Sequence, residues 1–305
     1  MNVRSWIWAG SILAALPSAA KAVTPPDESP AAAVEPAAAT REPSAPIDLR
    51  SETLTVDHRR HRAVFGGGVV ASRGDLEVRC PMLTAVYDNA SRVREVSCDG
   101  PVSATQGART MTSRSGYFDN VTGELHLSGE TTLVEEGRSF SGETLVYETG
   151  SSQATLVRAR AELSGDDAAD LPGSTGPMRI TADKVTHDFA RHRTIFSGNV
   201  VAVRGDVVVR ASRLVTIGDD RGHVESGWTE GGPVRVEQGA RQGTAERAHF
   251  AGGGKRLVLE GNPVITEGSS SLRGDRAVFQ VGQGRVEIEK PRAVFPVEEL
   301  QKGTK

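Results

Sequence analysis

One stretch of this chain occurs twice. Leu49 to Thr84 aligns without gaps on Ile180 to Val215, an offset of 131 residues, with 16 identities in 36 positions. The clearest part runs from Arg60-His61-Arg62 through Phe65, Gly67, Val69-Val70-Ala71 and Arg73-Gly74-Asp75. Its counterpart runs from Arg191-His192-Arg193 through Phe196, Gly198, Val200-Val201-Ala202 and Arg204-Gly205-Asp206. The sequence that follows repeats at an offset of 132: Gly100-Pro101-Val102 answers Gly232-Pro233-Val234, and Gln106-Gly107-Ala108-Arg109 answers Gln238-Gly239-Ala240-Arg241. Phe118 answers Phe250, and Leu125 to Gly129 answers Leu257 to Gly261. Such a chain folds as two tandem copies of one unit. We bound them as residues 47–163 and 178–296, joined by a polar loop over 164–177 that holds two prolines and three glycines.

Within each copy the apolar period is two. Val207, Val209 and Ala211 alternate with Val208 and Arg210, and Leu125 and Leu127 flank His126. Glycine-centred turns interrupt these runs every few residues, and no capped helical periodicity follows residue 22. With 34 glycines and only 5% aromatic residues, the body is expected to be all-β, made of short strands. Periodicity alone leaves three packings open: a long slab of stacked hairpins, an ordinary β-sandwich pair and a parallel β-helix.

Residues 1–22 read as an export signal: Arg4, a short apolar run from Trp6 to Leu16, and the small-x-small site Ala20-Lys21-Ala22, with cleavage after Ala22. The run is shorter than the ~20 residues of a spanning helix. Residues 23–46 hold six prolines and seven alanines and read as a disordered tether. Residues 297–305 form a short tail. A net charge of −3 gives no broad electrostatic reason to bind nucleic acid. Two cysteines exclude both a disulfide-rich scaffold and a four-cysteine zinc site. Cys80 and Cys98 fall on the apolar phase of their strands in an exported chain, and are a candidate disulfide.

Ile180-Thr181-Ala182-Asp183, Ile195-Phe196-Ser197-Gly198-Asn199-Val200, Arg204-Gly205-Asp206 and Val207 to Leu214, in that order, resemble the OstA-like domain of the LptA family of periplasmic lipopolysaccharide-transport bridge proteins. Copy two is the closer match. Copy one departs at Gly68, where Asn199 stands in copy two, and at Cys80-Pro81, where Ala211-Ser212 stand. The resemblance implies an elongated, duplicated antiparallel β-jellyroll, or β-taco, without catalytic residues or cofactors. It also implies lipopolysaccharide as ligand, an inner-membrane ATPase as motor, and related β-jellyroll proteins at the inner and outer membranes as partners. Head-to-tail self-association through the terminal strands, Ile47 to Val56 and Val286 to Val294, belongs to the same implication.

The expected lipid-lining face follows from alternation anchored on that pattern. In copy one it is Ile47, Leu49, Phe65, Val69, Ala71, Leu76, Val78, Leu83, Phe118, Leu125, Leu127 and Phe140. In copy two it is Met178, Ile180, Ala182, Phe196, Val200, Ala202, Val207, Val209, Ala211, Leu214, Phe250, Leu257, Leu259 and Leu272. Without the resemblance, physics alone favours a filled core built of these residues. An apolar trough open along the slab favours lipid carriage; a tightly packed interior favours an adaptor that stacks or tethers envelope complexes.

Other signals carry less. Three Arg-Gly-Asp triplets, at Arg73, Arg204 and Arg273, lie between strand runs and read as turns. His58 and His61 near Asp57, and His187 and His192 near Asp188, do not keep one spacing between copies, so no metal site is expected; they read as turn or surface residues. The basic clusters at 58–62 and 191–193 read as solvated hairpin tips with a capacity for phosphate. No paired carboxylates and no Gly-x-Ser-x-Gly elbow are present, so acid–base and serine-nucleophile chemistry find no support.

Overall fold

The computed structural model describes residues 46–135, 137–163, 177–251, 256–280 and 283–295. The expected export signal, most of the tether and of the connecting loop, and the tail lie outside them. Among the described residues every regular element is a strand. Copy one contains β1 (Asp48–Arg50), β2 (Thr53–Asp57), β3 (Arg62–Arg73), β4 (Leu76–Tyr87), β5 (Val93–Asp99), β6 (Val102–Gln106), β7 (Arg109–Ser113), β8 (Ser115–Asp119), β9 (Glu124–Glu135), β10 (Arg138–Glu148) and β11 (Gln153–Leu163). Copy two contains β12 (Met178–Asp188), β13 (Arg193–Arg204), β14 (Val207–Gly218), β15 (Val224–Glu230), β16 (Val234–Gln238), β17 (Arg241–Ala245), β18 (Arg247–Ala251), β19 (Arg256–Glu260), β20 (Val264–Glu267), β21 (Ser270–Arg273), β22 (Arg276–Gln280), β23 (Arg285–Glu289) and β24 (Arg292–Val294).

The long strands each serve two sheets. The first half of β3 pairs with β2 and its second half with β1. The second half of β4 pairs with β5 and its first half with β6. The chain thus builds one antiparallel network folded lengthwise into two facing sheets. They share β3, β4 and β9 to β14 along one closed edge, while the hairpin turns line the opposite edge, the mouth. Copies one and two join without a break, because β11 pairs with β12 from Gln153↔Asp188 to Leu163↔Met178.

The closed edge is made by a recurring bend. At Gly198-Asn199 both residues have positive φ, 78° and 47°, and the β13–β14 register shifts between Ser197 and Val200. A Cβ on Gly198 meets the Asp183 side chain at 2.4 Å, so glycine is required both for φ and for space. Asn199 donates to Asp183 Oδ2 at 2.8 Å. The same arrangement of a left-handed glycine against a side chain 15 residues upstream occurs at Gly67 with Glu52, Gly129 with Arg114 and Gly261 with Glu246.

These bends decide which side chains turn inward. Along β12 burial alternates through Met178, Ile180 and Ala182, slips by one at Asp183-Lys184, and resumes at Val185 and His187. The extra residue resets the parity, so both halves of a folded strand face the same interior. Phe140, Tyr147, Phe196, Phe279 and a set of leucines there are almost wholly buried.

Cys80 and Cys98 are disulfide-bonded and tie β4 to β5 inside copy one. Closing a loop of 18 residues restricts the unfolded chain and stabilises the fold by about 3 kcal/mol. Replacing both cysteines with alanine is expected to lower the urea midpoint of copy one accordingly. An unchanged midpoint under non-reducing conditions contradicts this role.

Candidate functional site

The structure turns the whole alternation-derived face toward the space between the sheets. Ile47, Leu49, Phe65, Val78, Ala211 and Leu272 are half-buried against it, and the remaining members lie in one apolar cluster that continues through both copies. Arg179 and Val208, of the opposite parity, point away from that cluster.

The interior is packed rather than open. Among the described residues, small apolar cavities lie between the sheets, one of about 40 Å³ in copy one and one of about 20 Å³ in copy two. Neither admits more than a few water-sized groups. This differs from the unbroken open trough that lipid carriage suggests. Leucine, valine and phenylalanine side chains from the two sheets meet across a narrow gap, and apolar area leaves water most completely when they close on each other.

His187 is a correction to its reading as a turn or surface residue. It is fully buried, with Nδ1 at 2.8 Å from Thr194 Oγ1, because the parity slip in β12 swings it inward. Its copy-one counterpart is Val56 on the edge strand β2, which is exposed. The triplets starting at Arg73 and Arg204 form the β3–β4 and β13–β14 turns at the mouth, while the one at Arg273 lies at the closed edge between β21 and β22. The basic clusters at 58–62 and 191–193 occupy the β2–β3 and β12–β13 turns, also at the mouth. No group of three or more His, Cys, Asp and Glu side chains among the described residues is placed to hold a metal ion.

Where copy one meets copy two, a charged cluster clasps the mouth. Glu135, at the end of β9, takes a 2.7 Å hydrogen bond from Arg109 Nε. Its other oxygen lies 3.8 Å from the buried Arg138 and 3.7 Å from His187 Nε2. Arg138 reaches across the mouth to His192 Nδ1 at 3.4 Å and to the Asp219 carbonyl at 3.5 Å. Arg109 stacks 3.9 Å above the Phe189 ring and donates to the Tyr147 hydroxyl at 3.2 Å, and Tyr147 in turn donates to Gln106. Sequence reasoning passed over Glu135, Arg109 and Arg138, since Arg109 sits in the β6–β7 hairpin and the other two in the β9–β10 hairpin, and no local motif joins them.

Burial works against the charge of Glu135, but His187 and Arg109 beside it and the charge of Arg138 hold its pKa down to about 2. Burial is also what pushes the His187 pKa below its ordinary value. Glu135 therefore contributes stability above its ordinary pKa of 4.5 that is lost as pH falls toward 2. His187 acts in the same direction, because the unfolded chain takes up its proton first as pH drops through 6.5. Glu135→Gln is expected to lose about 2 kcal/mol at pH 7, allowing for solvent screening. It is also expected to flatten the acid side of the stability profile, read from urea midpoints between pH 7 and pH 3. A variant as acid-sensitive as the parent rules out Glu135 as the group responsible.

A family model described as LptA/(LptD N-terminal domain) LPS transport protein matches residues 48–153 and again residues 179–285. No curated protein matches the chain. Among solved structures, the chain is similar to LptH, the LptA homologous periplasmic component of the lipopolysaccharide transport device of Pseudomonas aeruginosa. That similarity is 21% in identity over 38% of this chain and 87% of the other, with a TM-score of 0.35. The two family matches fall one on each copy and together take in most of the chain. The chain belongs to the LptA/LptD N-terminal-domain family, and with it to the bridge proteins of lipopolysaccharide transport in the periplasm.

Proposed function

We propose that this protein is a non-enzymatic bridge that holds lipopolysaccharide acyl chains between its two sheets and passes them along the slab toward the outer membrane. The observation that carries this reading is continuity: one apolar face runs through every strand pair of both copies, across the β11–β12 seam. An acyl chain enters by parting the sheets at the mouth. Apolar contacts between side chains are then exchanged for contacts with methylene groups, each worth about 0.8 kcal/mol when buried. The packed interior favours a second reading, an adaptor that stacks or tethers complexes without carrying lipid. The two separate on one experiment. A photo-crosslinking residue at Ile180, Val209 or Leu257 is expected to capture lipopolysaccharide in the working transport system, whereas one at Arg179 or Val208 is not. Equal capture at both sets, or none, favours the adaptor.

The slab also carries a template for docking. Residues 285–295 of copy two are equivalent to residues 153–163 of copy one, and 47–57 to 178–188. The β11–β12 seam is thus an internal version of β23 and β24 of one molecule meeting β1 and β2 of another. Leu54, Val56, Val294 and Phe295 are exposed at these two ends. Lys290 has φ 49° where its equivalent Arg158 has 50°, so Pro291 falls beside a bend and removes at most one ladder donor. By the Ala154↔His187 register, Val286→Cys on one molecule pairs with Val56→Cys on the next. Oxidation is expected to link that pair into dimers and longer chains on a non-reducing gel, while Val294→Cys with Val56→Cys, out of register, stays monomeric. Equal linking of both pairs removes the case for this stacking geometry.

A further inference from the structure

The clasp at the seam has a second, unfinished version at the free end of copy two. Arg109 and Glu135 recur 132 residues later as Arg241 and Glu267, which form the same ion pair at 2.9 Å. In the seam that pair is covered, with the Glu135 side chain 12% exposed; at the free end the Glu267 side chain is 55% exposed. The cover in the seam is the leading hairpin of copy two, β12–β13. His187 lies against the Glu135 carboxylate, and the Phe189 ring lies against the Arg109 guanidinium. The Phe189 N–H also donates to the Ser152 carbonyl at 3.2 Å. At the free end the equivalent carbonyl, that of Gly284, takes the Arg241 guanidinium instead.

Gln238 leaves the free end incomplete in a second way. Its counterpart Gln106 accepts the Tyr147 hydroxyl, but Phe279 stands in the place of that tyrosine. Gln238 is 5% exposed, and neither atom of its carboxamide has a hydrogen-bond partner among the described residues. A buried amide in that state is destabilising until something supplies the missing bond.

We propose that Glu267, Arg241 and Gln238 form a selective receiving site. It takes a β-hairpin edge that carries a hydrogen-bond donor at the His187 place and an aromatic ring at the Phe189 place, in preference to a second copy of this chain. This deepens the stacking reading above and rests on it.

A second copy docked here in the register of the seam brings Val56 where His187 stands and His58 where Phe189 stands. Valine offers Glu267 no donor, and imidazole is a poorer face for a guanidinium than a phenyl ring. Both changes fall on the incoming hairpin, while the receiving side keeps its arginine and its carboxylate. Backbone pairing adheres to any exposed edge, because ladder bonds do not read side chains. The half-clasp adds discrimination. An edge that covers Glu267 without a donor strips its water and gives no bond in return, whereas an edge with a donor and a ring restores the arrangement of the seam. Copies of this chain therefore meet weakly, and the end stays available to a different β-edge.

The test gives the chain's own leading hairpin the residues that copy two carries. Val56 and His58 are exposed, so Val56→His with His58→Phe is compatible with the fold, which thermal unfolding checks. In the full chain this double variant is expected to tighten self-association roughly tenfold or more, read by sedimentation velocity over a concentration series. Val56→His alone is expected to give a smaller gain, and adding Glu267→Gln to the double variant to remove most of it. No gain in the folded double variant, or a gain that Glu267→Gln leaves intact, overturns the selective site. The stacking reading is judged separately by the Val286→Cys and Val56→Cys link. Register-specific linking without a gain sinks the selectivity alone, whereas absence of both removes the stacking as well.

Discussion

Everything in this fold depends on a bend that a strand makes without ending. At Gly198-Asn199 two successive residues take left-handed φ, and the Asp183 side chain fills the space where a Cβ would sit on Gly198. The strand crosses from one sheet to the other with its own alternation kept from Phe196 to Val200, while its partner β12 shifts by one at Asp183-Lys184. Without that shift, half of β12 would turn its apolar side chains to water. With it, β3, β4 and β9 to β14 each line one interior on both sides of the closed edge, and the two copies share a single hydrophobic layer.

The closed edge is covalent backbone, but the mouth is held by side chains alone, so any opening happens there. Parting the apolar faces to admit a hydrocarbon chain changes little in apolar area exposed to water, since one apolar neighbour replaces another. The polar crossings at the mouth have no such substitute in a hydrocarbon. Arg138 to His192 and Asp219, Arg109 to Tyr147, and Arg73 to Asn120 are therefore the contacts that the proposed opening would have to break. At the middle of the mouth buried polar groups of the two sheets meet, Glu135 Oε2 lying 3.7 Å from His187 Nε2 across the gap, and parting them costs the desolvated pair its contact.

The inward face was legible in the sequence because it depends only on parity and on where the turns fall. Ile180, Phe196, Val209 and Leu257 need no knowledge of what lies opposite them. His187 was not legible, because its direction depends on the slip at Asp183-Lys184, and a bulge leaves no mark in simple alternation. A regularity within each copy would have shown it: Ala182-Asp183 recurs as Ala245-Glu246, and a glycine follows each acid 15 residues later, at Gly198 and Gly261. Arg73 and Arg204 were set aside with their triplets as turn residues. The turns are there, but the arginines point into the mouth. Residue physics alone favoured a filled interior; which side chains meet across it was beyond reach, since side-chain volume is matched across the two sheets and not along either one.

Duplication has a thermodynamic consequence at the β11–β12 seam. Two separate molecules that meet edge to edge lose translational and rotational freedom worth at least ~4 kcal/mol before any ladder bond is gained. Here the chain from Leu163 to Met178 keeps the two edges together, so pairing runs the full length from Gln153↔Asp188 to Leu163↔Met178 at any protein concentration. The free edges differ from the internal ones in length: β11 and β12 each span 11 residues, whereas β1, β2, β23 and β24 are short pieces of three to five residues broken at their bends. Short edges bind weakly and let go. A chain built this way has one permanent junction inside, and the end-to-end stacking proposed above would add reversible ones at its ends, the arrangement a bridge needs if it is to assemble and release without coming apart in the middle.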